Sequence, residues 1–373
     1  MRLPVLDFSP VPSPAFDTGP RSIHSVRMLR ISLTDRCNFR CVYCMPAEGV
    51  EWLPKAHLLS FEEIVEVARA AAELHGIRWF KLTGGEPTVR RGLVELVRML
   101  RRDVPGIEDL SMTTNGALLE ELAGPLRDAG LDRVTVSIDS LKPDRFRRIT
   151  RTGDLHAVLR GLDRAESVGL RGLKVNCVTM RGVNDDEVAD FARLTLTRNL
   201  TVRFIEYMPL GDAALLAAPA TPRAVDESEI GPAGGCGAQD RGADAFISEG
   251  EVRERVEAEL GRLVPVDRAS EPGVGPAVVY RLAGPRPAGR IGFISAMSAP
   301  FCSTCNRLRL TATGVLRSCL FEGGEVDLKP ILRAAAVQPR RREQLADAMT
   351  ECVRLKPDVH SRHGNEQMSR IGG

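Results

Sequence analysis

The sequence predicts an α/β protein: an incomplete parallel barrel of six βα units around a polar lumen, followed by a C-terminal extension with its own metal site. Three observations predict it. Strand-like and helix-like runs alternate six times between residues 28 and 207. Positions that share one face of those strands carry polar groups near the strands' C-terminal ends. Six of the nine cysteines fall into two triads, one directly after the first strand and one in the C-terminal region.

The strand-like runs lie near 28–33, 78–83, 109–114, 132–138, 171–178 and 201–207. Helical patterns fill the gaps, from Phe61 to Leu74, Gly92 to Arg102, Leu118 to Ala129, Ala157 to Val168 and Glu187 to Thr197. Ser60 ahead of Glu62 and Glu63, and Asp185-Asp186 ahead of Val188, read as helix starts. On the strands, the shared face holds Arg30 and Ser32, Lys81 and Thr83, then Ser111, Thr113 and Asn115. It continues with Thr135, Ser137 and Asp139, Lys174 and Asn176, and Glu206 with Met208. A closed (βα)8 barrel fills its interior with branched apolar side chains. A polar inner face over six strands argues instead for an open barrel with a ligand-filled lumen. Only 6 lysines stand against 45 arginines, and two of the six, Lys81 and Lys174, lie on this face. The lumen is expected to hold a polyanion.

Composition narrows the function classes. With 373 residues, 43% hydrophobic and 27% charged, the chain has the make-up of an ordinary soluble globular protein of one large domain and a smaller appendage. A net charge of +2 offers no bulk reason to expect nucleic acid or an anionic membrane as partner. No apolar run reaches membrane-spanning length, and Met1-Arg2-Leu3-Pro4 lacks the apolar core of a signal peptide, so the expected location is the cytoplasm. By segment, 1–26 reads as an irregular lead-in, 27–210 as the barrel, 211–246 as an Ala/Pro/Gly-rich linker or insertion, and 247–373 as the C-terminal region.

The cysteines suit metal ligation in a reducing compartment rather than a disulfide framework. Cys37, Cys41 and Cys44 occupy a short polar loop at C-x3-C-x2-C spacing. Such thiolates can converge on a zinc ion with a distant fourth ligand, or on a four-iron cluster with one iron left open. After the second strand comes Thr83-Gly84-Gly85-Glu86-Pro87, whose glycines let the backbone approach a ligand while Glu86 offers an acceptor to an ammonium group. Farther on, a helix is expected from about Glu249 to Leu263.

Cys302, Cys305 and Cys319 follow at C-x2-C-x13-C spacing, either half a zinc ribbon completed by Cys352, His360 or His363, or a second cluster. Two triads in one chain favour two iron–sulfur clusters. Arg307 and Arg309, two apart in a strand-like run, project from one face and suit a phosphate or a purine edge. Cys177, Cys236 and Cys352 read as structural or incidental. The Gly372-Gly373 end is either frayed or a slim probe for a crowded site.

The loop from Thr34-Asp35-Arg36-Cys37 through Cys44-Met45-Pro46 resembles the signature of the radical S-adenosylmethionine (SAM) enzymes, and the Gly-Gly-Glu-Pro turn resembles their motif for the methionine moiety. Further motifs are Thr113-Thr114-Asn115-Gly116, Phe204-Ile205-Glu206, Phe301 to Arg309 with Cys319, and the Gly-Gly end. With them, the chain from about Arg30 to Gly373 resembles the radical SAM GTP 3′,8-cyclases, which begin molybdenum cofactor biosynthesis. The stretch 213–245 departs from the family pattern in its length and its Ala, Pro and Gly content.

The resemblance implies an incomplete (βα)6 TIM-like radical SAM barrel whose C-terminal extension carries a second iron–sulfur cluster. It implies two [4Fe–4S] clusters, one on Cys37, Cys41 and Cys44 and one on Cys302, Cys305 and Cys319, with SAM lined by Tyr43, Gly85, Ser137 and Met208. GTP contacts would come from Arg30, Lys81, Thr113, Lys174, Arg307, Leu308 and Arg309, and the tail at Gly372 and Gly373 would reach the active site. The implied reaction cleaves SAM to methionine and a 5′-deoxyadenosyl radical, which takes hydrogen from ribose C3′ so that C3′ bonds to guanine C8. The implied partners are GTP, an electron donor and, functionally downstream, cyclic pyranopterin monophosphate synthase; a homodimer is one candidate assembly. Two alternatives stand beside this reading. One is another radical SAM enzyme with an auxiliary cluster, such as a peptide-modifying maturase; the other is a non-catalytic zinc-binding protein.

Overall fold

A computed structural model describes residues 19–208, 245–267, 270, 273–284, 287–322, 324–334, 340–360 and 368–371. Most of the expected lead-in, nearly all of the 211–246 stretch with Cys236, and Gly372 and Gly373 lie outside the described residues.

Six parallel strands form the centre in sequence order: β1 (Met28–Ser32), β2 (Trp79–Thr83), β3 (Asp109–Thr114), β4 (Arg133–Ser137), β5 (Lys174–Thr179) and β6 (Thr201–Glu206). Helices α1 (Phe61–His75), α2 (Leu93–Asp103), α3 (Leu119–Asp128), α5 (Leu155–Ser167) and α6 (Val188–Thr197) make the crossovers at the positions expected from periodicity. A short extra helix, α4 (Pro143–Thr150), precedes α5. It starts with Pro143, whose fixed φ suits a first turn.

Local chemistry explains the helix ends. Ser60 caps α1 through the Glu63 amide while the Glu63 side chain accepts from the Ser60 amide, and Gly76, at φ 66°, closes the helix. Helix α6 starts where expected, but neither Asp185 nor Asp186 caps it. Asp185 instead accepts from the Gly182 amide and from Arg255, and Asp186 pairs with Lys142 and Arg145. Helix α6 begins after Glu187, whose carboxylate serves Ser140, the Leu141 amide and Arg145.

The pleat of the strands sorts the interior into two environments. Leu29 and Ile31, Phe80 and Leu82, Leu110 and Met112, Val134 and Val136, Val175 and Cys177 turn outward and are buried beneath the helices. Cys177 is thus a core residue. The opposite positions turn into the lumen.

The C-terminal region does not sit apart. Helix α7 (Glu249–Leu260) ends earlier than expected because Gly261 takes a left-handed φ of 87°, and Leu263 already belongs to β7 (Leu263–Pro265). Strands β8 (Val278–Leu282) and β9 (Arg290–Ile294) then extend the sheet beyond β6, with β9 parallel to it. Strand β10 (Arg307–Leu310) runs parallel to β1 on the other side and continues into β11 (Val315–Arg317) and β12 (Glu325–Asp327). One sheet of twelve strands results, in the order β12-β11-β10-β1-β2-β3-β4-β5-β6-β9-β8-β7. Three short or peripheral helices complete it: α8 (Lys329–Leu332), α9 (Arg341–Arg354), which packs on α1, and α10 (Met368–Ile371).

Glu206, expected to face the lumen, points outward instead. Its carboxylate, 4% exposed, accepts from the Glu249, Met297 and Ser298 amides and the Ser298 hydroxyl, tying β6 to the start of α7 and to the loop after β9. Glu206→Ala strands these buried donors. It is expected to lower stability by about 2–4 kcal/mol, read as a lower urea midpoint at unchanged m-value in the anaerobically purified protein.

Candidate active site

The sheet's inner face encloses a cavity of about 340 Å³ that every one of the six parallel strands lines. Its basic character comes from register. Arg309, Arg30 and Lys81 are direct neighbours across β10, β1 and β2. Like charges placed so are ordinarily destabilising. Lys174, Arg203 and Arg307 add three more cations to the lining. Burial and then the neighbouring cations push the pKa values of Arg30 and Lys81 well down, and bring those of Arg203 and Arg309 to about 10.

The acidic groups of the lining do little to offset this. Glu86 spends its carboxylate on the Thr88 amide and hydroxyl, the Thr114 hydroxyl and the Asn115 amide. Asp139 accepts from the Tyr43 hydroxyl at 2.6 Å and the Val178 amide at 2.9 Å, and burial raises it to about 6. The lumen therefore has a strong electrostatic preference for a multiply charged anion.

The first cysteine triad sits at the C-terminal mouth of β1, and Cys37, Cys41 and Cys44 all line the cavity. The loop is held by its own backbone, with the Cys44 and Met45 amides donating to the Cys41 carbonyl. It is held from outside by Arg151, which donates to the Arg40 and Met45 carbonyls at 3.0 Å each. The glycine pair after β2 closes on it. The Gly85 amide donates to the Thr34 carbonyl and the Glu86 amide to the Arg36 carbonyl. A Cβ on Gly85 would stand 2.5 Å from the Asp35 and Arg36 carbonyl oxygens. These glycines are therefore required by the cysteine loop itself, and Glu86 anchors β3 to that turn rather than offering a free acceptor.

The second triad reaches the same cavity from the other side of β1, because β10 pairs with it. Cys302 opens a single 3-10 turn, and the Cys305 amide donates to the Cys302 carbonyl. Burial pulls Cys305 up in pKa, but Arg307, Lys356 and Arg309 together bring it below the ordinary thiol value.

No three His, Cys, Asp or Glu side chains among the described residues gather closely enough for a single metal ion. Each triad sets three thiols on the one cavity, a donor set that suits an iron–sulfur cluster with one iron left open. Burial raises the Cys37 thiol to about 11 and the Cys41 thiol well above its usual value, an environment in which the thiolates need a cation.

Of the residues named from the sequence, the cavity brings together both triads, Tyr43, Gly85, Ser137 and Met208, and Arg30, Lys81, Thr113, Lys174, Arg307 and Arg309. The buried Thr113 hydroxyl has no hydrogen-bond partner among the described residues. Leu308 is the exception. It alternates to the opposite face and is fully buried in the core, so only its backbone is available to a ligand. Arg203 and Arg133 also line the lumen and were not anticipated. Alternation from Glu206 and Met208 predicts the opposite phase for β6, but Arg203 and Ile205 occupy its inward positions; the arginine between Val202 and Phe204 is the signal for it. Arg203 donates to Asn176 at 2.9 Å and Thr135 at 3.3 Å, while Arg133 is paired with Asp109 at 2.5 Å.

Comparison with known proteins identifies the arrangement. Residues 31–195 match the model of the radical SAM superfamily and residues 229–362 that of Molybdenum Cofactor Synthesis C. The chain is 45% identical to GTP 3′,8-cyclase of Pelotomaculum thermopropionicum, over 96% of this chain and 99% of that protein. It belongs to the GTP 3′,8-cyclase family. It is also 42% identical to the GTP 3′,8-cyclase of Thermodesulfovibrio yellowstonii, over 94% of this chain and 98% of that one. The fold is shared with Streptococcus suis SuiB in its SAM-bound crystal structure, at a TM-score of 0.51 and 11% identity, covering 88% of this chain and 68% of SuiB. Family membership displaces the zinc-protein and maturase alternatives. As a radical SAM protein of this family the chain takes a [4Fe–4S] cluster and SAM.

Gly85→Ala is expected to push the turn off the cysteine loop. Anaerobically reconstituted protein should then hold fewer irons than the parent, counted by colorimetric iron analysis, while its far-UV circular dichroism stays the same.

Proposed function

We infer that the protein is a GTP 3′,8-cyclase that converts GTP to (8S)-3′,8-cyclo-7,8-dihydroguanosine 5′-triphosphate, the first step of molybdenum cofactor biosynthesis. The observation that carries the reading is a single cavity lined by both cysteine triads and by Arg30, Lys81, Lys174, Arg203, Arg307 and Arg309, in a chain 45% identical to a curated GTP 3′,8-cyclase over nearly its full length.

Cys37, Cys41 and Cys44 would hold the cluster that accepts SAM, next to Tyr43, Gly85, Ser137 and Met208. Cys302, Cys305 and Cys319 would hold a second [4Fe–4S] cluster facing the same cavity. When bound, the first cluster and SAM supply a 5′-deoxyadenosyl radical for hydrogen abstraction at the ribose C3′.

The chain's own contribution is placement. Arg30, Lys81, Lys174, Arg203 and Arg309 neutralise a triphosphate, and a bound polyphosphate relieves their mutual repulsion. Thr113 offers its buried hydroxyl. Arg307 stands with its guanidinium 5.0 Å over the Phe301 ring and 4.0 Å from the Cys305 sulfur, where it can meet the base end of the nucleotide. Fixing both ends of GTP presents C3′ to the hydrogen acceptor and C8 to C3′, and excludes water from the radical.

An external one-electron donor is part of the reading, as is cyclic pyranopterin monophosphate synthase as the consumer of the product. No helix among the described residues is long and apolar enough to cross a membrane. We assign the protein to the cytoplasm, where its free cysteines stay reduced, with a homodimer as one candidate assembly.

Two measurements test the reading. Cys37→Ser is expected to abolish 5′-deoxyadenosine formation in anaerobic assays with SAM, dithionite and GTP; formation at the parent rate would refute the first triad's role. Arg203→Met removes one buried cation and is expected to weaken GTP binding roughly tenfold to a hundredfold, about 1.5–3 kcal/mol, by anaerobic calorimetry. SAM-dependent 5′-deoxyadenosine formation without product should persist in that variant.

A further inference from the structure

The segment leaving α9 touches two of the three cysteines of the second triad, and no step of the reaction accounts for it. Lys356 is 3% exposed, and its ammonium donates to the Cys305 carbonyl at 3.0 Å and the Arg307 carbonyl at 3.3 Å. It therefore grips the peptide on both sides of Asn306, between the cysteine and the arginine.

Four residues on, the His360 peptide N–H reaches the Cys302 sulfur. Its ring, 7% exposed, lies flat on Phe321, with centroids 4.0 Å apart and planes 6° from parallel. Phe321 is two residues past Cys319. The His360 Nε2 meets the Ala296 carbonyl at 2.8 Å, which anchors the ring to the loop after β9. Two contacts thus converge on two of the cysteines, a cation at the carbonyl of Cys305 and an N–H at the sulfur of Cys302, and the stacked rings line the same cavity as Cys319.

A lysine with only six copies in the chain, buried in a cationic region already holding Arg307 and Arg309, is costly unless something anionic sits there. Three thiolates carrying a cluster are such an anion. Hydrogen bonds to sulfur and nearby positive charge each favour the reduced, more negative form of an iron–sulfur cluster.

We propose that Lys356 and His360 form a positioning strap that holds the three cysteines of the second triad in place and raises the reduction potential of the cluster bound there. The proposal rests on the two-cluster reading above. Lys356 supplies charge and fixes the Cys305–Arg307 peptide. His360 supplies an N–H through its backbone and a solvent shield through its ring.

The test uses full-length protein, reconstituted anaerobically, in which Cys37, Cys41 and Cys44 are all serine, so that iron and spectra report the second site alone. This background is expected to bind about four irons; if it binds none, the two-cluster reading itself fails, and the strap with it. Within it, Lys356→Met is expected to keep the irons and shift the potential to more negative values in an EPR-monitored redox titration. Lys356→Arg should keep the parent's potential. Lys356→Gln carries the same measurement should the Met variant fail to fold. His360→Ala keeps the peptide N–H and loses the stack, so its cluster is expected to bleach several-fold faster in air. A potential unchanged from the parent in both the Met and Gln variants, with irons retained, overturns the proposal. Bleaching of His360→Ala at the parent's rate overturns the shield.

Discussion

Like-charge repulsion inside a closed space is the constraint on which this structure depends. Arg309, Arg30 and Lys81 stand side by side on adjacent strands, and Lys174, Arg203 and Arg307 face the same cavity. A chain gains nothing by folding around such a row for its own sake, because burial depresses the pKa of Arg30, Lys81, Arg203 and Arg309, and each further cation adds to the effect. The cost is carried by the outer face of the same strands, where Leu29, Phe80, Leu110, Val134 and Val175 pack under the helices. Stability is built outside the barrel and electrostatic tension inside it, and a polyanionic substrate releases that tension.

The second constraint is distance along the chain. Cys37 and Cys305 are separated by most of the protein, yet they line one cavity because β10 pairs in parallel with β1 at a single register. The opposite flank is closed in the same way, by β9 on β6, and Glu206 fastens that closure through four donors from α7 and the loop after β9. The C-terminal region therefore acts as two walls added to the ends of the parallel sheet. Pairing at both flanks delivers the second triad to the lumen, and the Lys356–His360 segment holds it there.

At the first triad the design is one of close approach. Gly85 leaves no room for a side chain against the Asp35 and Arg36 carbonyls, and Glu86 accepts from two donors of Thr88 in its own loop and from two at the end of β3. The cysteine loop is thus clamped by the next βα loop through direct backbone contact. Arg151, the one non-glycine residue with positive φ among those described, completes the clamp from α4's end.

The sequence by itself determined the six parallel strands, most of their crossover helices, both cysteine triads and the basic lumen. Each of these is a local pattern: period-two alternation, period-3.6 alternation, or cysteine spacing within a few residues. Tertiary structure decided what local patterns cannot carry. It turned Glu206 outward and Arg203 inward, because a strand's phase is set by which face the sheet buries. It sent Leu308 to the core while Arg307 and Arg309 stayed on the lumen, for the same reason. It gave the Gly-Gly turn to the cysteine loop rather than to a free ligand, and it placed Lys356 and His360 against a triad up to 58 residues earlier in the chain. Side-chain alternation is written into every strand, but the register that joins β10 to β1 and β9 to β6 exists only once the whole sheet has formed.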